Sequence, residues 1–487
     1  MLAYLDHQAS TPCDPAVLNA MEPWWREHCA NPSSRLHRES LTAAAAVERA
    51  RAQVAAALGA EPGDVVFTSG ATEANNLALK GVCEAALAQG GERRRLLTLA
   101  TEHRAVLDPL RYLERHGFPL TVLPVDSGGL VQEELLAAAL GPDVLLASVM
   151  AANNEIGVLQ PISTIAAHCH HHGVLLHVDA AQAAGHIPLA MAEQGVDLLS
   201  LSGHKCYGPK GVGALLVRQG VALAAQLHGG GQEQQRRAGT VAVPLVVGLG
   251  EALSRAVADQ QERAARLGSL RDQLRQELLA LGGITLNGAA APRLAHNLNV
   301  TVGGVDGAAL HRLLRRSIAV SSGSACSQGS PSHVLAAWAA AAARPPPRSA
   351  SGSAAAPVRR RSNGPWPAWR RRCASCAPDG HCSVAKTAPG CSNPQAGEQH
   401  KAGGAHQGQQ GLGHLAHQHP GHHGQAHHQR PPQPQQPDRP QGRGGRDQLP
   451  EAGPEQRAQQ APSSGPPTGR AGSRPSSPTS RPSPAPM

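Results

Sequence analysis

Asp197-Leu-Leu-Ser-Leu-Ser-Gly-His-Lys-Cys-Tyr-Gly-Pro-Lys-Gly-Val-Gly-Ala-Leu215 holds a short apolar run, a polar turn at Ser202-Gly203-His204-Lys205, and a Gly/Pro-rich loop leading into a second apolar run. The pattern predicts strand, turn and strand, with Lys205 in the turn. A lysine at a strand end, flanked by Ser202 and His204 as candidate phosphate ligands, is what a cofactor bound as a Schiff base to a protein amine requires. Taken alone, the stretch also reads as a surface lysine in a glycine-rich connection, so its neighbours decide.

Three further segments each follow an apolar run that reads as a buried strand: Thr68-Ser-Gly-Ala-Thr-Glu-Ala-Asn-Asn76, Thr101-Glu-His-Arg104 and His177-Val-Asp-Ala-Ala-Gln182. In open α/β sheets, ligands bind where the strands end. Gly70-Ala71-Thr72 would open a helix whose backbone N–H groups, with the Thr72 hydroxyl, suit a phosphate. Asp179 would face a protonated ring nitrogen, the partner that makes pyridoxal phosphate an electron sink. His103 is placed to stack on the ring, and Gln182 to donate to its phenolic oxygen. Each has a plainer role on its own, Asp179 as a helix cap and His103 as a surface group. Jointly, with Lys205 downstream, they are hard to explain as caps.

Through these residues the chain resembles the cysteine desulfurases, pyridoxal-phosphate enzymes of the class-V aminotransferase family, over about residues 1–335. The resemblance rests also on Tyr4-Leu-Asp-His-Gln-Ala-Ser-Thr-Pro12, Asn31-Pro-Ser-Ser34, Asn153-Asn-Glu-Ile-Gly157, Gly229-Gly-Gly-Gln-Glu233, Arg237-Ala-Gly-Thr240 and Ser321-Ser-Gly-Ser-Ala-Cys326. It implies an α/β aminotransferase-like fold: a large domain with a mostly parallel seven-stranded sheet, then a smaller α+β domain. The boundaries expected are an arm over 1–14, the large domain over 15–250, a truncated small domain over 251–336, and a low-complexity, disordered tail over 337–487.

The resemblance also implies a site. Lys205 would carry the cofactor and abstract the substrate's α-proton. His103 would manage protons, and Cys326, in a run of small polar residues that reads as a mobile loop, would attack the sulfur of L-cysteine. The products would be L-alanine and a persulfide, passed to a sulfur-acceptor protein for iron–sulfur clusters or thiolation. Ala71, Thr72, Asn154, Asp179, Gln182, Ser202 and His204 would bind the cofactor, joined by Thr240 from the partner in a homodimer. Two other readings stand beside this one: another lyase or aminotransferase of the same fold, which would not need Cys326, and a non-catalytic remnant or scaffold.

Composition bounds the alternatives. The 487 residues carry a net charge of +9, but residues 337–487 hold an excess of +12 and the rest −3, so the basic balance belongs to the tail and implies no nucleic-acid partner. Cys13, Cys29, Cys83, Cys169, Cys206 and Cys326 show no paired spacing, which suits a reducing compartment. With no signal-like start and no apolar run long enough for a membrane span, the expected location is the cytoplasm.

Short apolar runs at Val65–Thr68, Leu96–Leu99, Leu120–Leu123, Val144–Val149 and Val174–Val178 alternate with helical stretches, the pattern of a parallel sheet covered on both faces. A long charged helix is expected from Leu245 to about Leu281, interrupted at Gly268, followed by strand Leu298–Val302, helix Ala308–Arg315 and strand Ile318–Ser321.

After Leu335 the resemblance stops. The family continues with a Leu-Arg-Phe-Gly-Leu-Gly-Arg motif whose first arginine binds the substrate carboxylate, and this chain lacks it. Back-translated with synonymous codons and read from the third base of each codon, Arg348–Pro357 gives Leu-Arg-Phe-Gly-Leu-Gly-Arg-Gly-Thr. One lost base near codon 337 would explain both the break and the Arg/Pro/Gln/His-rich tail, and would impair the product. Cys373, Cys376, His381, Cys382 and Cys391 lack the second half of a zinc pattern, and no metal is assigned.

Overall fold

The computed structural model describes residues 2–288, 292–322 and 332–342, and the backbone of 381–385. The chain divides into two units, Met1–Ala396 and Gly397–Met487, and every described residue belongs to the first. Its strands are β1 (Ala3–Tyr4), β2 (Val65–Thr68), β3 (Arg95–Leu99), β4 (Leu120–Leu123), β5 (Val144–Met150) and β6 (Leu175–Asp179). They continue with β7 (Leu198–Ser202), β8 (Gly213–Val217), β9 (Ile284–Leu286), β10 (Asn297–Val302), β11 (Ile318–Ala319) and β12 (His381–Ala385).

Seven strands form one sheet in the order β2-β8-β7-β6-β5-β3-β4. The pairs from β7 through β4 are parallel, while β8 runs antiparallel to both β7 and β2. All residues of β2, β7 and β8 are buried, so these strands read as continuous apolar runs with little alternation. Helices Arg38–Ala57 and Val243–Ala258 cover one face, and Ala71–Ala88 and Arg104–Glu114 the other. Gly59, just past the end of the first of these, takes φ +60°, the left-handed conformation that closes a helix.

The charged helix departs from expectation. It is two helices, Val243–Ala258 and Gln260–Ala280, that meet at Asp259, and Gly268 lies inside the second. Arg263 explains the position of the break: its guanidinium reaches the Asp259 carboxylate and the carbonyls of Ala256 and Gly185, closing the junction at Asp259.

Beyond this junction lies a three-stranded sheet, β12-β10-β9, antiparallel throughout. β1, in the N-terminal arm, pairs parallel with β11, Ala3 opposite Ile318. Helix His333–Ala342 runs across residue 337, the expected start of the tail, and β12 lies wholly beyond it; the remainder of that tail lies outside the described residues. No described helix is long and apolar enough to cross a membrane.

Candidate active site

Five strands of the large sheet deliver their C-terminal ends to one place. β2 leads into Ser69-Gly70, β3 into Thr101–His103, β5 into Ala151–Asn154, β6 ends on Asp179, and β7 runs into the Gly203–Lys205 turn. There they enclose a cavity of about 460 Å³ lined by Ala71, Thr72, His103, Asn154, Asp179, Gln182, Ser202, His204 and Lys205. All nine are residues that the sequence marks for the site. Lys210 and Ser321 line it as well.

The helix Ala71–Ala88 points its N-terminus into this cavity. Gly70, its cap, takes φ +153°, a conformation that favours glycine. The close approach of β8 is equally constrained: a Cβ on Gly213 would lie 2.3 Å from the Leu201 carbonyl oxygen and 2.7 Å from Gly70 Cα. Ser202 faces the cap, its Oγ 3.7 Å from where a Gly70 Cβ would be. Backbone N–H groups, hydroxyls and the helix dipole together make an anion seat. Across the first turn, Arg237 donates to Glu73 at 2.7 Å, fastening the Arg237–Thr240 segment to this helix.

Asp179 is held at both oxygens. Its Oδ2 accepts from Asn75 Nδ2 at 2.8 Å and its Oδ1 from the Ala181 N–H at 2.9 Å. His103 caps helix Arg104–Glu114, its Nδ1 accepting from the Ala105 N–H at 3.1 Å. Burial pushes the His103 imidazole below its usual value, with Lys205 and His333 adding to the effect and Asp179 opposing it. Next to it, Glu102 is fully buried, and burial pushes its carboxyl well above the usual range although Oε1 accepts from the Met150 N–H at 2.9 Å.

Three amide oxygens of residues that line the cavity, Asn75 Oδ1, Asn154 Oδ1 and Gln182 Oε1, are buried without a hydrogen-bond partner among the described residues. Such groups call for a polar ligand. With an anion seat at one end, a fixed carboxylate at another and a lysine beside them, the set fits pyridoxal phosphate. Gln182 differs in detail from expectation, because its Nε2 donates to the Gln8 carbonyl at 2.9 Å.

Thr240 is exposed and does not line the cavity of its own chain. Cys326 lies outside the described residues, but both flanks are fixed close by. Ser321 donates to Asp6, Ser332 donates to Glu155 Oε2 at 2.5 Å, and His333 Nε2 donates to the Glu102 carbonyl at 2.8 Å. Sequence alone gives no role to Gln8, Asn75, Glu102 or Asn297; all four sit inside or beside the motifs quoted above, yet nothing local marks them as polar and buried.

Residues 3–344 match the family model of class-V aminotransferases, and the chain belongs to that family. Within it the chain stands with the cysteine desulfurases. It is 46% identical over 338 residues to the cysteine desulfurase IscS of Dechloromonas aromatica, covering 69% of this chain and 83% of that protein. It is 45% identical over 339 residues to the human cysteine desulfurase, covering 69% and 73%. Among solved structures, a NifS-like protein superposes with TM-score 0.65 at 37% identity, over 70% of this chain and 90% of the other. The structure described as SspA in complex with cysteine gives 0.60 at 36%, over 69% and 94%.

Proposed function

We propose that this chain converts L-cysteine to L-alanine and leaves the sulfur as a persulfide on Cys326, with Lys205 holding pyridoxal phosphate as a Schiff base. The observation that carries the reading is the convergence of Lys205, Asp179 and the N-terminus of helix Ala71–Ala88 on one cavity.

Thr72, Ser202 and His204 would hold the phosphate, Asp179 would keep the ring nitrogen protonated, and His103 would stack on the ring. When bound, the cofactor supplies an electron sink at the substrate's α-carbon. Lys205 moves the proton at that carbon. His103, whose neutral form burial favours, would manage protons at the substrate thiol and the ring. The Cys326 thiolate attacks the substrate sulfur; the new S–S bond forms as the C–S bond breaks, and its electron pair leaves with the carbon skeleton, which is protonated to alanine.

Thr240 completes the phosphate site of a partner subunit in a homodimer, a reading supported by the exposed apolar side chains Leu18, Trp25, Leu36 and Leu41 on the N-terminal helices and the turn between them. The persulfide goes to a sulfur-acceptor protein in the cytoplasm, for iron–sulfur clusters or thiolation. Residues 15–250 and 251–336 act as large and small domains. The match to the family ends at residue 344, close to the position proposed for the lost base.

The test is to incubate the full chain with pyridoxal phosphate, L-cysteine and a thiol reductant and to measure sulfide and alanine together. Equal release is expected, with loss of roughly a thousandfold or more in Lys205→Ala and loss of sulfide in Cys326→Ala. Turnover that survives Cys326→Ala would overturn the desulfurase reading. Restoring the frame near codon 337 is expected to raise the rate; an unchanged rate would remove the frame-loss account.

A further inference from the structure

The residue Gln8 joins three parts of the molecule. Its carbonyl oxygen accepts from Lys205 Nζ at 2.5 Å and from Gln182 Nε2 at 2.9 Å. Its side-chain oxygen accepts from Asn297 Nδ2 at 2.7 Å. The same Asn297 nitrogen lies 3.1 Å from the Glu155 carbonyl oxygen, and both Gln8 and Asn297 are buried. Asn297 is backed by Gly157: a Cβ there would come within 2.4 Å of Asn297 Cγ. The first residue of β10 is therefore wedged in place and reaches, through one glutamine, the amine of the lysine.

We propose that Asn297 is a positioning residue for Lys205. It braces Gln8 so that the Gln8 carbonyl forms a fixed seat for the lysine amine when that amine is not joined to the cofactor. The proposal deepens the reading above and rests on it for the purpose of Lys205. Past β1 the arm makes a turn, with the Ala9 N–H donating to the Asp6 carbonyl at 3.1 Å and the Thr11 N–H to the His204 carbonyl at 2.9 Å, and within it the Asn297 bond is what holds the Gln8 side chain. A carbonyl that accepts from an ammonium group favours its charged form. The seat thus governs where the amine waits and how firmly it keeps its proton. No side-chain substitution removes a backbone carbonyl, so the brace is the part open to test.

The experiment labels the full chain, without cofactor, with a trace of an acylating anhydride across a pH series. Peptide mapping gives the rate at Lys205 relative to Lys210, which lines the same cavity. Asn297→Ala and Gln8→Ala are each expected to raise Lys205 labelling at pH 8 by about tenfold or more, the effect of losing one hydrogen bond to a charged donor, and to move its pH profile down. The double variant should go no further than either single one. Asn299→Ala is the control: Asn299 Nδ2 also donates to the Glu155 carbonyl, at 3.0 Å, but does not bond Gln8. It should leave Lys205 unchanged.

An equal rise in Asn299→Ala would mean that Asn297 merely helps to dock β10, and the proposal would fall. Unchanged labelling in Asn297→Ala and Gln8→Ala would overturn it directly. Because labelling needs no cofactor, its outcome is separate from borohydride trapping of pyridoxal phosphate on Lys205, which tests the Schiff base itself.

Discussion

Strand β7 buries all five of its residues, whereas β9 buries none of its three. The helices differ likewise: Val243–Ala258 buries nine residues, Gln260–Ala280 only Arg263 and Leu267, and Gly307–Leu314 none. Around β10, beside the buried Leu298 and Val300, many of the contacts are amides. Asn287 Nδ2 donates to Asn299 Oδ1 at 2.6 Å, Thr301 donates to Asn287 Oδ1 at 3.0 Å, and Asn299 and Asn297 both reach the Glu155 carbonyl. Apolar burial is strong but has no direction, while buried hydrogen bonds fix register and are costly to leave unmade. The large sheet is held mainly by apolar packing; the β10 region is aligned to it largely by polar bonds.

The largest test strikes an exception within the large-sheet half. Arg51 donates to Glu233 at 2.9 and 3.0 Å, and Glu233 also accepts from the Phe67 N–H. Arg51→Ala strands a buried carboxylate and is expected to cost about 3–5 kcal/mol in urea unfolding. A loss below about 1 kcal/mol would show that packing carries even this corner.

His177 comes next. It is buried between Ser148 and Ser200, and burial pushes its imidazole down to about 4. The unfolded chain binds the proton more readily, so this stability is fully present above about pH 6.5 and lost as pH falls toward about 4. Roughly 2 kcal/mol should disappear between pH 7 and pH 5, and His177→Gln should flatten that slope; an identical slope in the variant would place the acid sensitivity elsewhere.

Asn299→Leu is expected to cost about 1–3 kcal/mol through the polar groups it leaves unmatched. Faster hydrogen exchange should then be confined to β9 and β10, and a spread into β5 to β7 would erase the contrast between the two regions. The smallest effect belongs to Leu313, 61% exposed on helix Gly307–Leu314. Leu313→Ala should change the unfolding free energy by no more than about 0.5 kcal/mol, and a larger loss would reveal packing on that helix.

The sheet was legible because its inner strands are buried on both faces and even the edge strand β4 is a mostly apolar run. Val65–Thr68 and Leu120–Leu123 coincide with β2 and β4, and the other runs fall within a residue or so of their strands. The nine cavity residues were legible for a related reason, since strand ends followed by small polar turns are where such a sheet binds. Gly268 misled because a glycine inside a charged helix looks like a break, while the real one at Asp259 is made by Arg263 reaching a carbonyl far away in sequence. Gln8 and Asn297 escaped for the same cause: a buried amide and an exposed one are spelled alike, and only the partner distinguishes them.

The bond between those two residues spans 289 positions. As the chain is made, the turn carrying Lys205 and the helix that receives the phosphate can pack long before β10 exists. Loops of that length close late and at an entropic cost. The order of assembly therefore separates the pocket from the group that steadies its lysine, and the reactive amine is brought under control only after the rest of the site has formed.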